Sequence, residues 1–371
     1  MTESNNDGQH AAASLEAWGL WQSMVADLTQ VVRDDAETEL ELLDGLQVLA
    51  RCTTLATELN VDADPELPFF FTMDTEMRYI GGPSPDGDYD LCILEGGRAY
   101  RVQGQRNTSA YLGFQVLAGG GMEPRRMAAY LSDRDMDLAE DGSFAFVIAT
   151  ERPADDLLDG AMFIEVPADA GSIVVRQYVA EPGTEQLATY DIEPLELPGP
   201  PPLPTDGAVA ARFTAAAWTI AKLVTLHKSP PMQEMIESPN RFFTYDPAAL
   251  GAADTTPDNL YMLGTWRLAP DEALVIDAQP PDVRFWNLVI ENIWHECLDV
   301  RRRQTSLTNG EAVLAEDGSV QFVLAARDPG VPNWLDTAGR HRGFMLFRWL
   351  DDPAPPVVTA DVVPLAHLGG R

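Results

Sequence analysis

The chain has 371 residues, 45 % of them hydrophobic, which allows two or three domains with cores of their own and excludes a disordered chain. Its net charge is −33 and its only lysines are Lys222 and Lys228. Nucleic acid and anionic membrane surfaces are therefore excluded as partners, because both need clustered cations. Residues 1–12 read as disordered. From about Ser14 to Arg33, Leu15, Trp18, Trp21, Met24, Leu28 and Val32 recur at helical spacing, with Ser14 placed to cap the helix. A second helix is expected over 36–59, with Leu40, Leu43, Leu46, Leu49 and Ala50 on its apolar face.

The pattern then changes to short runs rich in β-branched and aromatic residues: Tyr100-Arg101-Val102, Tyr111 to Val116, Phe144 to Ile148 and Ile173 to Arg176. Gly and Asp turns separate them, as in an antiparallel sandwich or barrel. Leu197 to Pro204 is a proline-rich connector. A helix is expected from Asp206 to His227, with Val209, Phe213, Ala216, Ile220 and Leu223 on one face and a stop at Ser229-Pro230-Pro231-Met232. More strand-like runs follow: Leu274 to Ile276, Trp286 to Ile290, Val320 to Leu324 and Phe344 to Trp349.

The second series repeats the first. Phe70-Phe71-Thr72-Met73-Asp74 returns as Phe242-Phe243-Thr244-Tyr245-Asp246, at an offset of 172. Pro85-Asp86 with Tyr89 returns as Pro257-Asp258 with Tyr261, and Arg176 as Arg348, at the same offset. Leu138 to Ser143 returns as Leu314 to Ser319, with Asp141-Gly142 and Asp317-Gly318 as equivalent turns. So long a period implies two whole domains rather than a solenoid. The sequence thus predicts a mainly β fold with helical segments (α+β): two duplicated antiparallel β-sandwich or jelly-roll-like domains, each preceded by helix. The expected boundaries are 1–62 for the start and N-terminal helices, 63–196 for copy one, 197–240 for the connector and its helix, and 241–371 for copy two. An immunoglobulin-like sandwich is the alternative for copy one.

Copy two carries a resemblance. Pro257-Asp258-Asn259-Leu260-Tyr261, Phe285-Trp286-Asn287-Leu288, Asp317-Gly318-Ser319 and the run Asp328 to Gly339, with Gly343 and Arg348-Trp349, are similar to the C-terminal domain of the family known as domain of unknown function 1214. The resemblance covers about a third of the chain, and copy one matches it less well. It implies a jelly-roll-like β domain and no particular chemistry.

Familiar catalytic signatures do not occur: no dinucleotide fingerprint, P-loop, nucleophile elbow or Cys-x-x-Cys. His295-Glu296-Cys297-Leu298-Asp299 opens like a zinc-protease motif but ends in Asp and follows a strand, so no metal is expected there. Asp133, Asp135, Asp137 and Asp141 have the spacing of a calcium loop without its Gly and Glu. Cys52, Cys92 and Cys297 lie far apart and form no disulfide framework. With no signal peptide and no apolar run of about 20 residues, a cytoplasmic location is expected. No cofactor is implied.

The copies differ most after matching strands. Copy one continues as Gly119-Gly120-Gly121-Met122, copy two as Asn292-Ile293-Trp294-His295-Glu296, then Asp299 and Arg301-Arg302-Arg303. Copy two also has Asn333-Trp334 against Met162-Phe163. Glu296, His295 and Asp299 are therefore candidate acid–base groups. Arg302 and Arg303 are candidate anion binders, and Asn292, Trp294, Asn333 and Trp334 candidate ligand-orienting residues. On the structural alternative, the carboxylates pair with the arginines, Asn333 ties a turn and the tryptophans fill the core. Two function classes follow. One is an enzyme of hydrolase or lyase/hydratase type acting on a small, partly apolar or hydroxylated molecule. The other is a non-catalytic small-molecule binding or assembly protein, with homo-oligomer formation possible in either case.

Overall fold

The structure is a computed structural model that describes residues 11–119, 125–197, 199–200, 203–245, 255–351 and 353–368. Of the residues 1–12 expected to be disordered, 1–10 lie outside the described residues, whereas Ala12 is helical; most of the glycine-rich run after Gly119, part of the connector and the repeat's Asp246 also lie outside. In chain order the elements begin α1 (Ala12–Asp35), α2 (Glu39–Thr57), β1 (Phe71–Thr72), β2 (Gly87–Ile93), β3 (Tyr100–Gln105), β4 (Tyr111–Ala118), β5 (Arg126–Ser132) and β6 (Ser143–Ala149). Then come α3 (Asp155–Leu158), β7 (Met162–Glu165), β8 (Ala170–Tyr178), β9 (Thr189–Pro194), α4 (Asp206–Val224) and α5 (Pro230–Glu237). Copy two supplies β10 (Arg241–Thr244), β11 (Asn259–Arg267), β12 (Glu272–Ala278), β13 (Trp286–Glu291), β14 (Ser306–Thr308), β15 (Val320–Ala325), β16 (Trp334–Asp336), β17 (Arg342–Leu350) and β18 (Val358–Pro364).

Two compact units result, one of residues up to Asp64 with Leu197–Thr225, the other of Pro65–Glu196 with Leu226–Arg371. In the helical unit α1 packs mainly along α4. Ser14 does not cap α1. The carboxylate of Asp206, at the start of α4, accepts from the backbone N–H groups of Ala13 (3.1 Å) and Ser14 (2.9 Å) and so caps a neighbouring helix. These bonds hold the Asp206 carboxyl below its usual pKa. Thr38 caps α2 by accepting from Glu41 N–H, while Glu41 reaches back to Glu37 N–H, a reciprocal box. The buried residues of α2 are Glu41, Asp44, Gly45, Val48, Leu49, Cys52, Leu55 and Ala56; of the expected face Leu49 is buried as expected, whereas Leu40, Leu43 and Leu46 are exposed. The stripe that packs is the one with the small residues, which allow close approach between helices. Pro230 does not stop a helix but begins α5, where its fixed φ and missing N–H cost nothing.

The β unit holds two sandwiches with the same topology. Copy one has sheets ordered β1-β2-β8-β4-β5 and β7-β6-β3-β9; copy two has β10-β11-β17-β13-β14 and β16-β15-β12-β18. Adding nine to each strand number of copy one gives copy two, so copy one shares the topology of copy two and is not immunoglobulin-like. All pairings are antiparallel except β6–β7 and β15–β16, where a short strand joins the edge in parallel. The cores lie between the sheets. Copy one buries Val102, Phe114, Phe146, Ile173 and Val175. Copy two buries Trp266, Ile276, Leu288, Phe322, Phe347 and Trp349. Asp141-Gly142 and Asp317-Gly318 form matching turns, each Gly at φ 81° and each Asp accepting from the N–H two residues on.

The outer faces of the two five-stranded sheets meet and carry the residues that alternate with the cores. Phe285, Tyr178 and Tyr111 stack there, with ring centroids 4.7 and 5.1 Å apart. Register makes Tyr111 the equivalent of Phe285, since Tyr111 opposes Tyr178 and lies two residues before Gly113, the partner of Arg176; Asn287, two after Phe285, partners Arg348.

Candidate functional site

The loop into β2, Tyr79 to Asp86, binds copy one to copy two. Gly81 and Gly82 have φ of 87° and 76°, which favours glycine at both. Their N–H groups donate to the carbonyl of His295 (2.9 and 3.2 Å), and Cys297 N–H donates to Tyr79 O (3.0 Å). The segment Asn292 to Cys297 is thus a turn shaped to receive that loop. Asn292 Oδ1 accepts from the N–H groups of Trp294 (2.9 Å) and Glu296 (3.2 Å), and its Nδ2 donates to Glu296 Oε2 (3.1 Å). His295 has φ 58°, stacks on Phe344 with centroids 3.7 Å apart, and sets Nδ1 3.2 Å from Glu291 Oε2. Trp294 meets the ring of His227 edge-on.

Asn292, Trp294, His295 and Glu296 therefore come together as the sequence contrast suggested, in a buried turn. The other candidates stand elsewhere. Asp299 lies 3.5 Å from Arg301 and 3.7 Å from Arg302, whose side chain is 77 % exposed. Arg303 pairs with Asp336. Asn333, at φ 54°, accepts from Val313 N–H and donates to Val313 O and Gln321 O, tying a turn. Trp334 donates from Nε1 to Ala325 O at the edge of the other sheet. Among the described residues no group of three or more His, Cys, Asp or Glu is placed to hold a metal ion.

A cleft of about 610 Å3 opens beside this junction. Its walls include Tyr79, Asp86 and Asp88 from copy one, and Arg303, Ser306 and Glu311 from copy two. Asp86 Oδ2 accepts from Asn287 Nδ2 (2.6 Å) and from the hydroxyl of Ser306, while Oδ1 receives no donor among the described residues. Burial pushes the Asp86 carboxyl up to about 6, against the opposing pull of those two hydrogen bonds. Burial also raises Asp88, with the Asp90 charge adding to it, and raises Asp74 well above the usual carboxylate range. Three carboxyls with raised pKa values thus cluster at the start of copy one, and Asp86 and Asp88 line the cleft.

Asp86 is the repeated Pro-Asp of the sequence, and its role is reciprocal. Its counterpart Asp258 accepts from the hydroxyl of Tyr130 (2.7 Å), and Tyr130 stands on β5 where Ser306 stands on β14. Each copy thus extends a carboxylate to a hydroxyl on the other's edge strand. The sequence carried this signal as a repeated motif, but nothing local said where the carboxylate reached.

Residues 269–354 match the model of the family described as protein of unknown function (DUF1214), the region in which the sequence resemblance lay. The crystal structure of an uncharacterised protein from Burkholderia cenocepacia is similar at 28 % identity and a TM-score of 0.89, covering 96 % of this chain and all of the other. The VPA0106 protein from Vibrio parahaemolyticus is similar at 12 % identity and a TM-score of 0.48, over 85 % of this chain and 96 % of that one. No curated protein matches the sequence significantly.

Proposed function

We propose that the protein binds a small hydroxylated or amine-bearing molecule in the cleft between its β domains, with Asp86 as the group that recognises it. The observation that carries this reading is the pairing of an open cleft of about 610 Å3 with a carboxyl whose second oxygen has no donor among the described residues. Asp88 and Glu311 beside it favour donors over anions in the ligand. No helix among the described residues is long and apolar enough to cross a membrane, and Cys52, Cys92 and Cys297 are buried and in no disulfide, which suits a reducing cytoplasmic setting.

A second reading, acid–base catalysis of hydrolase or lyase type, is favoured by one specific property: a carboxyl near 6 can both give and take a proton at neutral pH. A thermal-shift screen of polyols, sugars and amines tests the binding reading. A binder should raise Tm by mass action, and Asp86→Ala should abolish the shift. A shift that survives Asp86→Ala places the ligand elsewhere. Turnover of a binder, lost in Asp86→Asn while binding persists, would favour catalysis.

A further inference from the structure

Duplication allows each buried group of one copy to be compared with its counterpart in the other. Arg176 and Arg348 occupy the same place, each opposite a tyrosine on one neighbouring strand (Tyr89, Tyr261) and a β4 or β13 residue on the other (Gly113, Asn287). Their surroundings differ. Arg176 Nη1 donates to Gln115 Oε1, and its guanidinium lies 5.9 Å from the centre of the Tyr89 ring. The position that matches Gln115 is Val289, since each lies two residues beyond the partner of the arginine. Arg348 is 1 % exposed, and among the described residues one acceptor meets it: Gly82 O, 2.6 Å from Nη2. Its Nε and Nη1 are buried without a partner.

From this contrast we infer that Arg348 is the anchor of a buried anion site between the two β domains, distinct from the Asp86 cleft. Its ligand would be a small monoanion, a halide or a short carboxylate, accepting from Nε and Nη1. A buried cation with unmet donors is unfavourable unless something supplies the missing acceptors. No carboxylate among the described residues hydrogen-bonds to it. Glu291, on the same face of β13, turns Oε2 to His295 Nδ1; its charge acts on Arg348, but it makes no hydrogen bond to the guanidinium, and its Oε1 too is buried without a partner. Burial raises the pKa of Asp74, which works against its carrying the countercharge. Copy one meets the same demand with Gln115, and copy two has exchanged that amide for a valine that cannot accept.

The test uses bromide and formate on the full chain, with gluconate at equal ionic strength as the control for salt. Either small anion should raise Tm saturably, by about 3 °C or more, where gluconate does not. Val289→Gln, which restores the acceptor found in copy one, should remove the response, as should Arg348→Met. Crystals soaked in bromide provide a measurement that needs no variant: an anomalous peak within hydrogen-bond reach of Arg348 Nε and Nη1. A wild-type chain indifferent to both anions, a response that persists in the folded variants, or a site holding water alone would each overturn the inference.

Discussion

Replacing Asp86 with asparagine isolates the charge at the wall of the cleft. The folded protein holds the proton of Asp86 to about pH 6, against 3.8 for the ordinary group. A carboxyl whose folded pKa is raised contributes stability that is fully present below the unfolded value and is lost as pH rises through the folded one. A rise from 3.8 to about 6 is equivalent to about 3 kcal/mol at most. Asp86 is partly open to the cleft, and solvent screening there reduces the expected effect to about half of that. Asparagine keeps an acceptor for Ser306 and Asn287 but never ionises. Asp86→Asn should therefore match the wild type near pH 4 and exceed it above pH 7, by about 3–6 °C in Tm. The assay is thermal unfolding of both proteins from pH 4 to 8, read as their difference, so that the other carboxylates cancel. A difference that does not grow with pH, or an asparagine variant less stable at pH 7.5, would refute the account of Asp86 as a desolvated charge.

Three other substitutions separate site from scaffold. Glu296→Ala should lower Tm clearly, because the carboxylate is buried and bonded to Asn292, and truncation strands that amide at a cost of about 1–3 kcal/mol; unchanged stability with altered ligand response would return Glu296 to the functional site. Asn333→Ala should cost about 2–3 kcal/mol by chemical denaturation, losing three turn bonds at φ 54°, while Asn333→Gly should be milder because glycine tolerates that backbone. Tyr130→Phe removes the donor to Asp258 and should destabilise by about 1–2 kcal/mol in the same assay, with no effect on binding at the Asp86 cleft.

The repeat was the legible part of the sequence. Four matches in order implied two β domains, and the strand runs at Tyr111, Phe144, Trp286 and Val320 all fall in strands. Helix faces were less legible. Leu40, Leu43, Leu46 and Leu49 form a good apolar stripe, yet tertiary packing buried only Leu49 of it and otherwise selected the side with Gly45, Cys52 and Ala56. The Ser14 cap failed for a related reason, since its place is taken by Asp206, a residue nearly two hundred positions away. Contrast between the copies located Asn292 to Glu296 but not their role. An ionisable segment unique to one copy also arises when that segment must clasp a loop of the other, and sequence alone does not distinguish a clasp from a pocket.

Similarity between copies proved as informative as difference. Ser84 N–H donates to the hydroxyl of Tyr89, and Thr256 N–H to that of Tyr261. Asp86 reaches Ser306 and Asp258 reaches Tyr130. The first pair shapes each copy's own loop, the second reaches reciprocally from each sandwich to the other, and together they explain why Pro-Asp and its tyrosine recur in both halves. Within that shared frame a few exchanges set the chemistry. Gly113 leaves room for the Tyr111 ring, and a Cβ there would stand 2.1 Å from the Tyr111 hydroxyl; Asn287 instead reaches Ser84 and Asp86. Gln115 satisfies an arginine that Val289 leaves unmet. Tyr130 sets a bulky ring against its aspartate where Ser306 sets a small hydroxyl, and the cleft lies on the serine side. The symmetric contacts hold the interface together, so the functional groups are to be sought where one copy departs from the other along that interface.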